Sequence, residues 1–474
     1  MLTNLSGCFS FIVILGYYVV VALILLIAGP VLLCLKKCRA GLGQKLGLIP
    51  AALKQAAAAR DLLPGSAPNS RRRVWFHAVS VGEFNAVYPL ILAFGKTHSD
   101  FDIFVSTTTA TGQEQAKSKV GHLATVFYFP FDLAPAIASW LDFVRPDLVL
   151  IVETEIWPGF MSECAKRHLP VLLINGRLSP RSFQGYMRWR WFFRSVVDSF
   201  AGLAVQSEAE LLRYAALLGS SAKIQVCGNI KIDGIKPIDS ADQHQLRQAL
   251  GLDASDVVLV AGSTHEGEEK ALLDFIGTKD GAGVKLIVVP RHPERFARVA
   301  GLIASCGFRT RRFTCGESFE KAGDVYLLDT VGQLGRFYSL ASLAFVGGTI
   351  VPVGGHNLAE PLAYACPVVC GPYVHKTRDI ATGMQESGAL VCSKSVADLH
   401  RALGQLCVSP AQRLKIGGAG KSWLGENEGA LARTLHFIES HLYANRQQTV
   451  FSGGERSDRL QLPVGQLNSI AQRD

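Results

Sequence analysis

The sequence predicts an α/β protein made of two doubly wound halves. From residue 73 onward, short β-branched runs alternate with helical patterns, and the polar stretch IDGIKPIDSADQHQ around Pro237 interrupts this alternation once. Alternation of this kind is typical of an open parallel sheet with helices on both faces. A chain of 474 residues is also too long for one ordinary core, which favours two domains.

The predicted strands set the domain boundaries. The first half contains VWFHAV, DIFVSTTT, DLVLIVE, PVLLIN, AGLAVQS and KIQVCG, and the second contains DVVLVAGS, VKLIVVP, DVYLLD, LAFVGG and PVVCGP. We therefore expect a Rossmann-like domain at residues 41–235, an interdomain linker at 236–255 and a second Rossmann-like domain at 256–443. The polar segment 444–474 has no clear period, and we expect it to be disordered.

An N-terminal membrane anchor is predicted within residues 1–40. No residue from Phe9 to Leu35 is charged, and this run is long enough to span a bilayer. The basic segment KKCR follows it at once, so the positive-inside rule places the rest of the chain in the cytoplasm. A cleaved signal peptide fits less well because a basic n-region is missing. A monotopic hairpin bent at Gly29–Pro30 is the alternative that stays open.

The net charge indicates which kinds of partner the protein can bind, and the cysteines indicate its cellular compartment. A net charge of +9 suits an anionic partner, which can be phospholipid, a phosphorylated substrate or nucleic acid. The sequence has no zinc-finger spacing and no aromatic-rich RNA-binding signature, so nucleic acid is not expected. The 11 cysteines are scattered without a CxxC pair, which is typical of reduced thiols in a cytosolic compartment.

Polar residues follow nearly every predicted strand. The motifs are SVGE, STTTATG, ETEIWP, NGRLSPRS and GNIKID in the first half, and GSTHEGEE, PRHPER, DTVGQL and GGHNLAEP in the second. In open α/β sheets, ligands bind beyond the carboxyl ends of the strands. Two such sheets that face each other would hold two substrates in one cleft.

Six of these motifs together resemble the 3-deoxy-D-manno-octulosonic acid (Kdo) transferases of lipopolysaccharide assembly. They are SVGE, ETEIWP, NGRLS, GSTHEGEE, PRHPER and GGHN followed by Glu, and the resemblance runs from the N-terminal anchor to about Leu442. It implies a GT-B glycosyltransferase at the cytoplasmic face of the inner membrane, in contact with phospholipid. It also implies inverting transfer of Kdo from CMP-Kdo to a lipid A precursor. Gln333, where the family usually has Glu, and the polar tail are departures.

Glu83 is the candidate general base. An inverting transfer needs a group that takes the proton of the acceptor hydroxyl, and a carboxylate can do this. Ser80 and Glu83 also have the spacing of a capping box, so the spacing alone leaves both interpretations open. Gly82 favours the base, because it bares the backbone beside the carboxylate, and the resemblance implies the same role.

The resemblance implies stabilisation of the transition state by Glu153 of ETEIWP and by Lys231 of GNIKID. Charge pairing with a helix N-terminus is the alternative for Glu153 and for its neighbour Glu155. We expect only one of these two carboxylates to face the site. Lys231 follows an apolar strand near the predicted linker, where its cation can meet the phosphate or carboxylate of the donor. A solvated lysine is the alternative.

The second half carries the predicted nucleotide site. If Asn357 capped an α-helix, Pro361 would fall at the fourth helical position, where its missing N–H is needed. We expect instead that Gly354–Gly355 allows close approach of the nucleotide. The following helix N-terminus then faces the phosphate, and Glu360 accepts from the ribose hydroxyls. The full predicted set is Pro290, Arg291, Val331, Gly332, Gln333, Asn357, Leu358, Ala359 and Glu360.

No metal and no cofactor is expected. His265 lies in HEGEE and His292 in PRHPER, but neither motif has the i, i+4 histidine pair of a zinc protease. His292 and Arg295 can equally be surface residues at a helix start. The leaving group is a single phosphate, which a helix terminus and basic side chains such as Arg291 can meet without a divalent ion.

The segment RSFQGYMRWRWFFRSVVDSF, residues 181–200, mixes arginines with large aromatic residues. This composition suits the headgroup layer of a membrane, where rings lie at the acyl boundary and guanidiniums meet phosphates. The alternative is an ordinary amphipathic helix whose rings pack on the sheet and whose arginines are solvated.

Two other functions stay open on the sequence. A GT-B transferase that uses a UDP-sugar on a lipid or glycan acceptor has the same fold, and a donor screen distinguishes it. A catalytically silent, membrane-tethered nucleotide-sugar binding protein is the alternative of another class, and detectable turnover excludes it.

Overall fold

The computed structural model describes residues 16–21, 23, 26–27, 39–55, 71–321 and 323–452, with side chains described as far as residue 442. The predicted anchor lies largely outside these residues, and its described part, within residues 16–27, is helical. Within the described ranges, no helix is both long and apolar enough to cross a membrane.

The first unit is built on a seven-stranded parallel sheet of order β3-β2-β1-β4-β5-β6-β7. Its central strands are buried on both faces, which explains their continuous apolar sequence. The order reverses between β1 and β4, where ligands bind in such sheets. The strands are β1 (Arg72–His77), β2 (Phe101–Thr107), β3 (Ala124–Tyr128), β4 (Leu148–Val152), β5 (Val171–Gly176), β6 (Gly202–Val205) and β7 (Ile224–Val226).

Helices connect these parallel strands and cover the sheet. Ser80, Thr109 and Ser207 cap three of them at their N-termini with side-chain oxygens. The helices are α1 (Leu42–Lys45), α2 (Val81–Thr97), α3 (Ala110–Val120), α4 (Ala134–Val144), α5 (Pro158–Lys166), α6 (Pro180–Arg188), α7 (Arg190–Asp198) and α8 (Glu208–Leu218).

The second unit repeats this plan with a parallel sheet of order β10-β11-β9-β8-β12-β13-β14. Its order reverses between β8 and β12, which makes the ends of these two strands the expected ligand site. The strands are β8 (Val258–Thr264), β9 (Lys285–Pro290), β10 (Arg309–Arg312), β11 (Asp324–Leu327), β12 (Leu343–Val346), β13 (Val368–Cys370) and β14 (Leu390–Cys392).

The helices of the second unit include several short 3₁₀ turns. The α-helices are α9 (Ile230–Asp233), α10 (Ser240–Ala249), α11 (Glu268–Ile276), α12 (Phe296–Ser305), α13 (Leu334–Phe337), α14 (Arg378–Glu386), α15 (Val396–Val408) and α16 (Pro410–Asn427). The 3₁₀ helices are Pro293–Arg295, Phe313–Cys315, Tyr338–Leu340 and Glu360–Tyr364. A final helix, α17 (Ala430–Ser452), ends the described chain.

The division of the chain differs from the predicted boundaries. The two compact units are Met1–Cys227 with Ala432–Asp474, and Gly228–Leu431. The predicted linker at 236–255 contains helix α10, and Leu246 and Leu250 of this stretch are buried in the core of the second unit. The polar composition of this stretch hid a helix that buries one apolar face.

The C-terminal helix α17 belongs mainly to the first unit, although residues up to 443 were predicted in the second domain. Arg433 donates its Nε–H to the carbonyl of Cys227 (2.9 Å), and Phe437 is buried. Gly202 of β6 leaves the space that Phe437 and His441 occupy, because a Cβ there would lie within 2.7 Å of both side chains. Sequence order therefore does not follow domain order at this end of the chain.

Glycines allow α16 to pack closely on the 3₁₀ helix Glu360–Tyr364. A Cβ on Gly417 would lie 1.8 Å from the carbonyl oxygen of Ala365, and one on Gly420 would lie 2.7 Å from Leu362. Gly418, on the same helix, is exposed, and a Cβ on it would meet no described atom within 4 Å. The position of Glu360 therefore depends on a close contact between these two helices.

We predict that Gly417→Ala lowers the free energy of unfolding by about 1–3 kcal/mol, because the methyl group forces the two helices apart. Gly418→Ala is the matched control and should raise it by about 0.5–1 kcal/mol, since alanine favours a helix. Urea denaturation followed by circular dichroism measures both. Equal effects of the two substitutions would contradict the close packing.

Candidate active site

Glu83 lies just after β1, at the start of α2, and forms the capping box that its spacing predicted. Its backbone N–H donates to Ser80 Oγ (3.4 Å), and its Oε2 accepts from the N–H of Val79 (2.5 Å). Gln at this position would preserve such a box. The capping interpretation is therefore correct as geometry, and it does not decide whether the carboxylate also acts on a substrate.

The pKa of Glu83 distinguishes it from an ordinary capping glutamate. Burial, and then the negative charges of Glu153 and Glu155, raise the pKa of Glu83 to about 7, against the opposing hydrogen bond from Val79 N–H. Burial and Glu153 also raise the pKa of Glu155. We call Glu83, Glu153 and Glu155 the carboxylate cluster. It lies at the ends of β1 and β4, where the strand order of the first sheet reverses.

Glu153 and Glu155, the two carboxylates of ETEIWP, both contribute to the raised pKa of Glu83, and the expectation that only one of them faces the site stays a prediction. Glu153 takes a left-handed backbone conformation, with φ of 63°, directly after β4. Such a conformation is uncommon for a residue other than glycine and is concentrated at functional sites. The strand ends at this turn, and Glu155 remains close enough to raise the pKa of Glu83.

The role predicted for Gly82, to bare the backbone beside the carboxylate, stays a prediction. Gly82 is exposed, and a Cβ on it would have Ser80 Oγ, 3.7 Å away, as its nearest contact within 4 Å. A side chain at this position would therefore meet no steric obstacle within the described residues. The evidence for Glu83 as a base comes from its largely buried, negatively charged surroundings and not from its glycine neighbour.

Lys231 lies in the second unit, whereas the sequence placed it in the first domain with Glu83 and Glu153. It is exposed on the short helix α9, and its N–H donates to Asn229 Oδ1 (3.1 Å). The chain passes into the second unit at Gly228, three residues earlier, so the end of β7 is also the end of the first unit. The first unit alone does not bring Lys231 to the carboxylate cluster.

The predicted nucleotide residues gather at strand ends of the second unit. Pro290 ends β9, and the N–H of Arg291 donates to the carbonyl of Thr264 at the end of β8 (3.0 Å). Val331 is exposed after β11, beside Gly332 with φ of 87°. Gln333 forms the N-terminal boundary of α13. These three strand ends leave Arg291 and Val331 exposed to a ligand.

The Asn357–Glu360 stretch forms a turn and not the start of an α-helix. Asn357 Oδ1 accepts from the N–H of Ala359 (3.1 Å), and its Nδ2 donates to Glu360 Oε1 (3.0 Å). The expected helix is only the five-residue 3₁₀ helix Glu360–Tyr364, with Pro361 in its first turn, so its dipole is weaker than predicted. Leu358 and Ala359 are fully buried, which leaves Asn357 and Glu360 to meet a ligand.

Burial raises the pKa of Glu360, and the hydrogen bond from Asn357 partly offsets this. Gly354 and Gly355 both have positive φ, of 107° and 85°. A Cβ on Gly354 would lie 2.5 Å from the His375 ring. The group that approaches Gly354 closely is thus the His375 ring of the same unit, where a nucleotide was expected.

Two histidines form a pair at the reversal point of the second sheet, and the motif analysis assigned no role to this pair. His265 follows β8, His356 follows β12, and their Nε2 atoms lie 2.8 Å apart with the rings nearly parallel. Burial and neighbouring cations lower the pKa of both, that of His356 to about 4. Both residues stand in the strand-end motifs GSTHEGEE and GGHN, and position relative to the strand order was the signal that could have found them.

Arg295 is a structural residue. Its guanidinium makes two hydrogen bonds to the buried carboxylate of Glu269 (2.8 and 3.0 Å) and one to the carbonyl of Thr264 (3.1 Å). Among the described residues, no group of three or more His, Cys, Asp or Glu side chains has an arrangement that could hold a metal ion.

The arginine-rich aromatic segment, residues 181–200, forms helices α6 and α7, and its rings divide into two sets. Tyr186 stacks on Phe193 with ring centroids 4.1 Å apart, and both pack against the core of the first unit. Trp189 and Trp191 are 55% and 54% exposed. The core-packing alternative therefore describes only part of the segment.

The arginines of this segment also differ from one another. Arg190 donates its Nε–H to the carbonyl of Leu217 at the end of α8 (3.0 Å), which is a structural contact. Arg188 and Arg194 are exposed, and Arg188 directly precedes the exposed Trp189.

Comparison with known proteins identifies the family. Residues 40–234 match the family model of the 3-deoxy-D-manno-octulosonic-acid transferases (Kdo transferases). A 3-deoxy-D-manno-octulosonic acid transferase of Haemophilus influenzae is 33% identical over 381 residues, which cover 78% of this chain and 88% of the relative. One from Chlamydia trachomatis is 30% identical over 373 residues, which cover 78% of this chain and 86% of the relative.

The fold is similar to that of solved UDP-sugar enzymes with two parallel-sheet domains. A UDP-N-acetylglucosamine 2-epimerase has a TM-score of 0.54 and 14% identity, and the alignment covers 82% of this chain and all of the epimerase. Identity this low indicates shared fold only. The sequence relatives decide the family, and this chain belongs to the 3-deoxy-D-manno-octulosonic acid transferases.

Proposed function

We propose that this chain is an inverting glycosyltransferase that moves Kdo from CMP-Kdo to a lipid A precursor in lipopolysaccharide synthesis. Membership of the Kdo transferase family supports the donor and the reaction class. The observation that carries the proposal is the carboxylate cluster, with Glu83 largely buried beside two further negative charges and its pKa raised to about 7. A base with a pKa near the working pH is the kind that proton abstraction requires.

Glu83 takes the proton from the acceptor hydroxyl in the proposed step. The hydroxyl oxygen then forms a bond to the anomeric carbon of Kdo, while the bond from that carbon to the phosphate oxygen of CMP breaks on the opposite face. The proton stays on Glu83, and the electron pair of the broken bond leaves with CMP. Inversion at the anomeric carbon follows from this single displacement.

Glu153 and Lys231 support this step with opposite charges. Glu153 raises the basicity of Glu83 and can stabilise positive charge that develops on the sugar ring in the transition state. Lys231 is exposed in the second unit, so its ammonium group can neutralise the phosphate or carboxylate of the donor.

The donor side of the proposal rests on the strand ends of the second unit. Arg291 is exposed at the end of β9 and can make a charge-assisted contact to the cytidylate phosphate. Glu360, held by Asn357 Nδ2, can accept from the ribose hydroxyls. The Val331–Gly332–Gln333 turn can offer backbone groups to the base, a role that tolerates Gln where the family usually has Glu.

We propose attachment to the inner membrane through the N-terminal run and the exposed tryptophans. The described part of the run exposes large apolar side chains such as Leu26 (72%) and Ile27 (75%). Within the run, the hydroxyl of Tyr17 donates to Asp132 Oδ2 in the first unit (2.6 Å). Packing of this part on the first unit supports attachment along the membrane surface. Basic residues before Arg39 and in segment 181–200 suit an anionic membrane surface.

We predict that Glu83→Gln lowers the rate of transfer by about 10²–10⁴-fold, because Gln keeps the capping hydrogen bonds but cannot take a proton. The measurement is product mass after incubation with CMP-Kdo and a tetra-acylated lipid A precursor. Ser80→Ala is the control, since it weakens the cap by about 0.5–2 kcal/mol but keeps a carboxylate at position 83 that can take a proton. A Glu83→Gln enzyme within a few-fold of the parent would remove Glu83 from this role.

Glu360→Ala should weaken CMP binding by roughly 10- to 100-fold, since a hydrogen bond to a charged group contributes about 1.5–3 kcal/mol. Isothermal titration calorimetry with CMP measures the affinity. Glu360→Gln is the matched control, because it keeps an acceptor for Asn357 and should lose less affinity for CMP. An unchanged affinity in a folded Glu360→Ala protein would mean that Glu360 only completes the Asn357 turn.

A further inference from the structure

The three glutamates of the motif HEGEE have three different environments. Glu266 pairs with Arg298, and both side chains are exposed. Glu269 is buried and pairs with Arg295. Glu268 is fully buried as well, but its hydrogen-bond partners are backbone N–H groups of two separate loops. A buried carboxylate is costly unless such donors satisfy it, so this arrangement calls for an explanation.

Glu268 connects the loop after β8 to the loop after β12. Its Oε2 accepts from the N–H groups of His265 (2.9 Å) and Gly348 (2.8 Å). Its Oε1 accepts from the N–H groups of Thr349 and Ile350, both at 2.9 Å. Four hydrogen bonds to one carboxylate fix the relative position of the two strand ends at which the sheet order reverses.

The loop after β12, which Glu268 holds through its backbone N–H groups, also positions His356. The carbonyl of Gly348 accepts from the N–H groups of Gly354 (3.0 Å) and Gly355 (2.8 Å), which closes the loop on itself directly before His356. Gly348 has φ of 70°, and a Cβ on it would lie 3.1 Å from the His356 ring. The ring therefore packs on Gly348, and its Nε2 meets His265 Nε2 at 2.8 Å.

Cationic groups surround this histidine pair. Arg291, Lys376 and His292 all lower the pKa of His356, and Glu269 is the acidic residue that acts in the opposite direction on His265. His265 and His356 are each partly exposed. Two partly exposed imidazoles with cations near them, at the reversal point of a parallel sheet, suit an oxyanion of a ligand.

We propose that Glu268 is a positioning residue that aligns the His265–His356 pair with an oxyanion of the donor, its phosphate or its carboxylate. This inference rests on the proposed function, because it assumes that the second unit binds a nucleotide sugar. Glu268 itself is buried and touches no substrate; it acts through the backbone of the two histidine loops.

Glu268→Gln tests the proposal with little change of shape. An amide has only one acceptor oxygen, so its NH₂ group must face two of the four backbone N–H groups and displace one of the two loops. We expect the KM for CMP-Kdo to rise about tenfold, equivalent to about 1.4 kcal/mol, with kcat changed much less. We also expect the ¹⁵N resonances of His265 and His356 to lose the signature of their Nε2–Nε2 hydrogen bond.

Glu266→Gln is the matched control, because the same substitution two residues earlier removes only an exposed ion pair. The affinity for CMP, measured by calorimetry, separates the two oxyanions. Weaker binding of CMP by Glu268→Gln assigns the phosphate, and a higher KM with unchanged CMP affinity assigns the carboxylate. A folded Glu268→Gln protein with normal KM, CMP affinity and histidine spectrum overturns the proposal.

If Glu268→Gln fails to fold, Gly348→Ala is the second variant. It keeps the Glu268 carboxylate but places a methyl group 3.1 Å from the His356 ring, at a residue with φ of 70°, so it should raise KM and change the histidine spectrum in the same way. A normal KM and spectrum for folded Gly348→Ala would also overturn the proposal. A parent enzyme that does not turn over CMP-Kdo contradicts the proposed function, and the histidine spectra then test the positioning role by themselves.

Discussion

Burial of the Glu83 carboxylate beside two further carboxylates is the interaction on which the proposed chemistry depends. Glu83 would have an ordinary acidity if it were only the capping residue of α2. Burial, and then the charges of Glu153 and Glu155, change this, because they make loss of its proton less favourable. The strand order of the first sheet brings them together, since it reverses between the two strands that precede them. The raised pKa of Glu83 therefore depends on the sheet topology that brings the ends of β1 and β4 together.

The second unit has the same kind of reversal in its strand order, and the groups near that point are imidazoles and cations. The ends of β8 and β12 carry two histidines, with Arg291 and Lys376 close enough to act on them. One buried carboxylate, that of Glu268, lies at this point and is satisfied by backbone N–H groups. Each sheet therefore concentrates its functional groups where its strand order reverses, and the sign of the charge suits a base in one unit and an anionic ligand in the other.

Most strands of the two sheets could be predicted from the sequence, because a buried parallel strand appears in the sequence as a continuous apolar run. LVLIV of β4 and KLIVVP of β9 are such runs. Strand β10, RTRR, is not, because it lies at the edge of its sheet and its arginines reach Asp324 and Asp329. Strand β14 was not predicted, although β13 has the same length, because only Leu390 of its three residues is buried. The helix in the predicted linker was missed because only Leu246 and Leu250 mark its buried face.

The sequence predicted the motifs that form the site but not how their side chains are arranged. Sequence spacing identified Glu83 and its cap, yet only the fold shows that Glu153 and Glu155 both act on it. The histidine pair depends on contacts between residues 91 positions apart, which no local pattern reports. Lys231 was assigned to the wrong unit because the chain crosses between units three residues before it, at a glycine and not at the polar stretch that follows.

The dependence of kcat/KM on pH tests the central claim most directly. Glu83 must be ionised to take a proton, and its pKa is raised to about 7, so activity should be low in acid and rise with a midpoint near pH 7. Glu153→Gln removes the largest neighbouring charge, so the midpoint should move to lower pH even though the rate also falls. A profile that is flat from about pH 5 to 8, or a midpoint that Glu153→Gln leaves in place, would contradict the account.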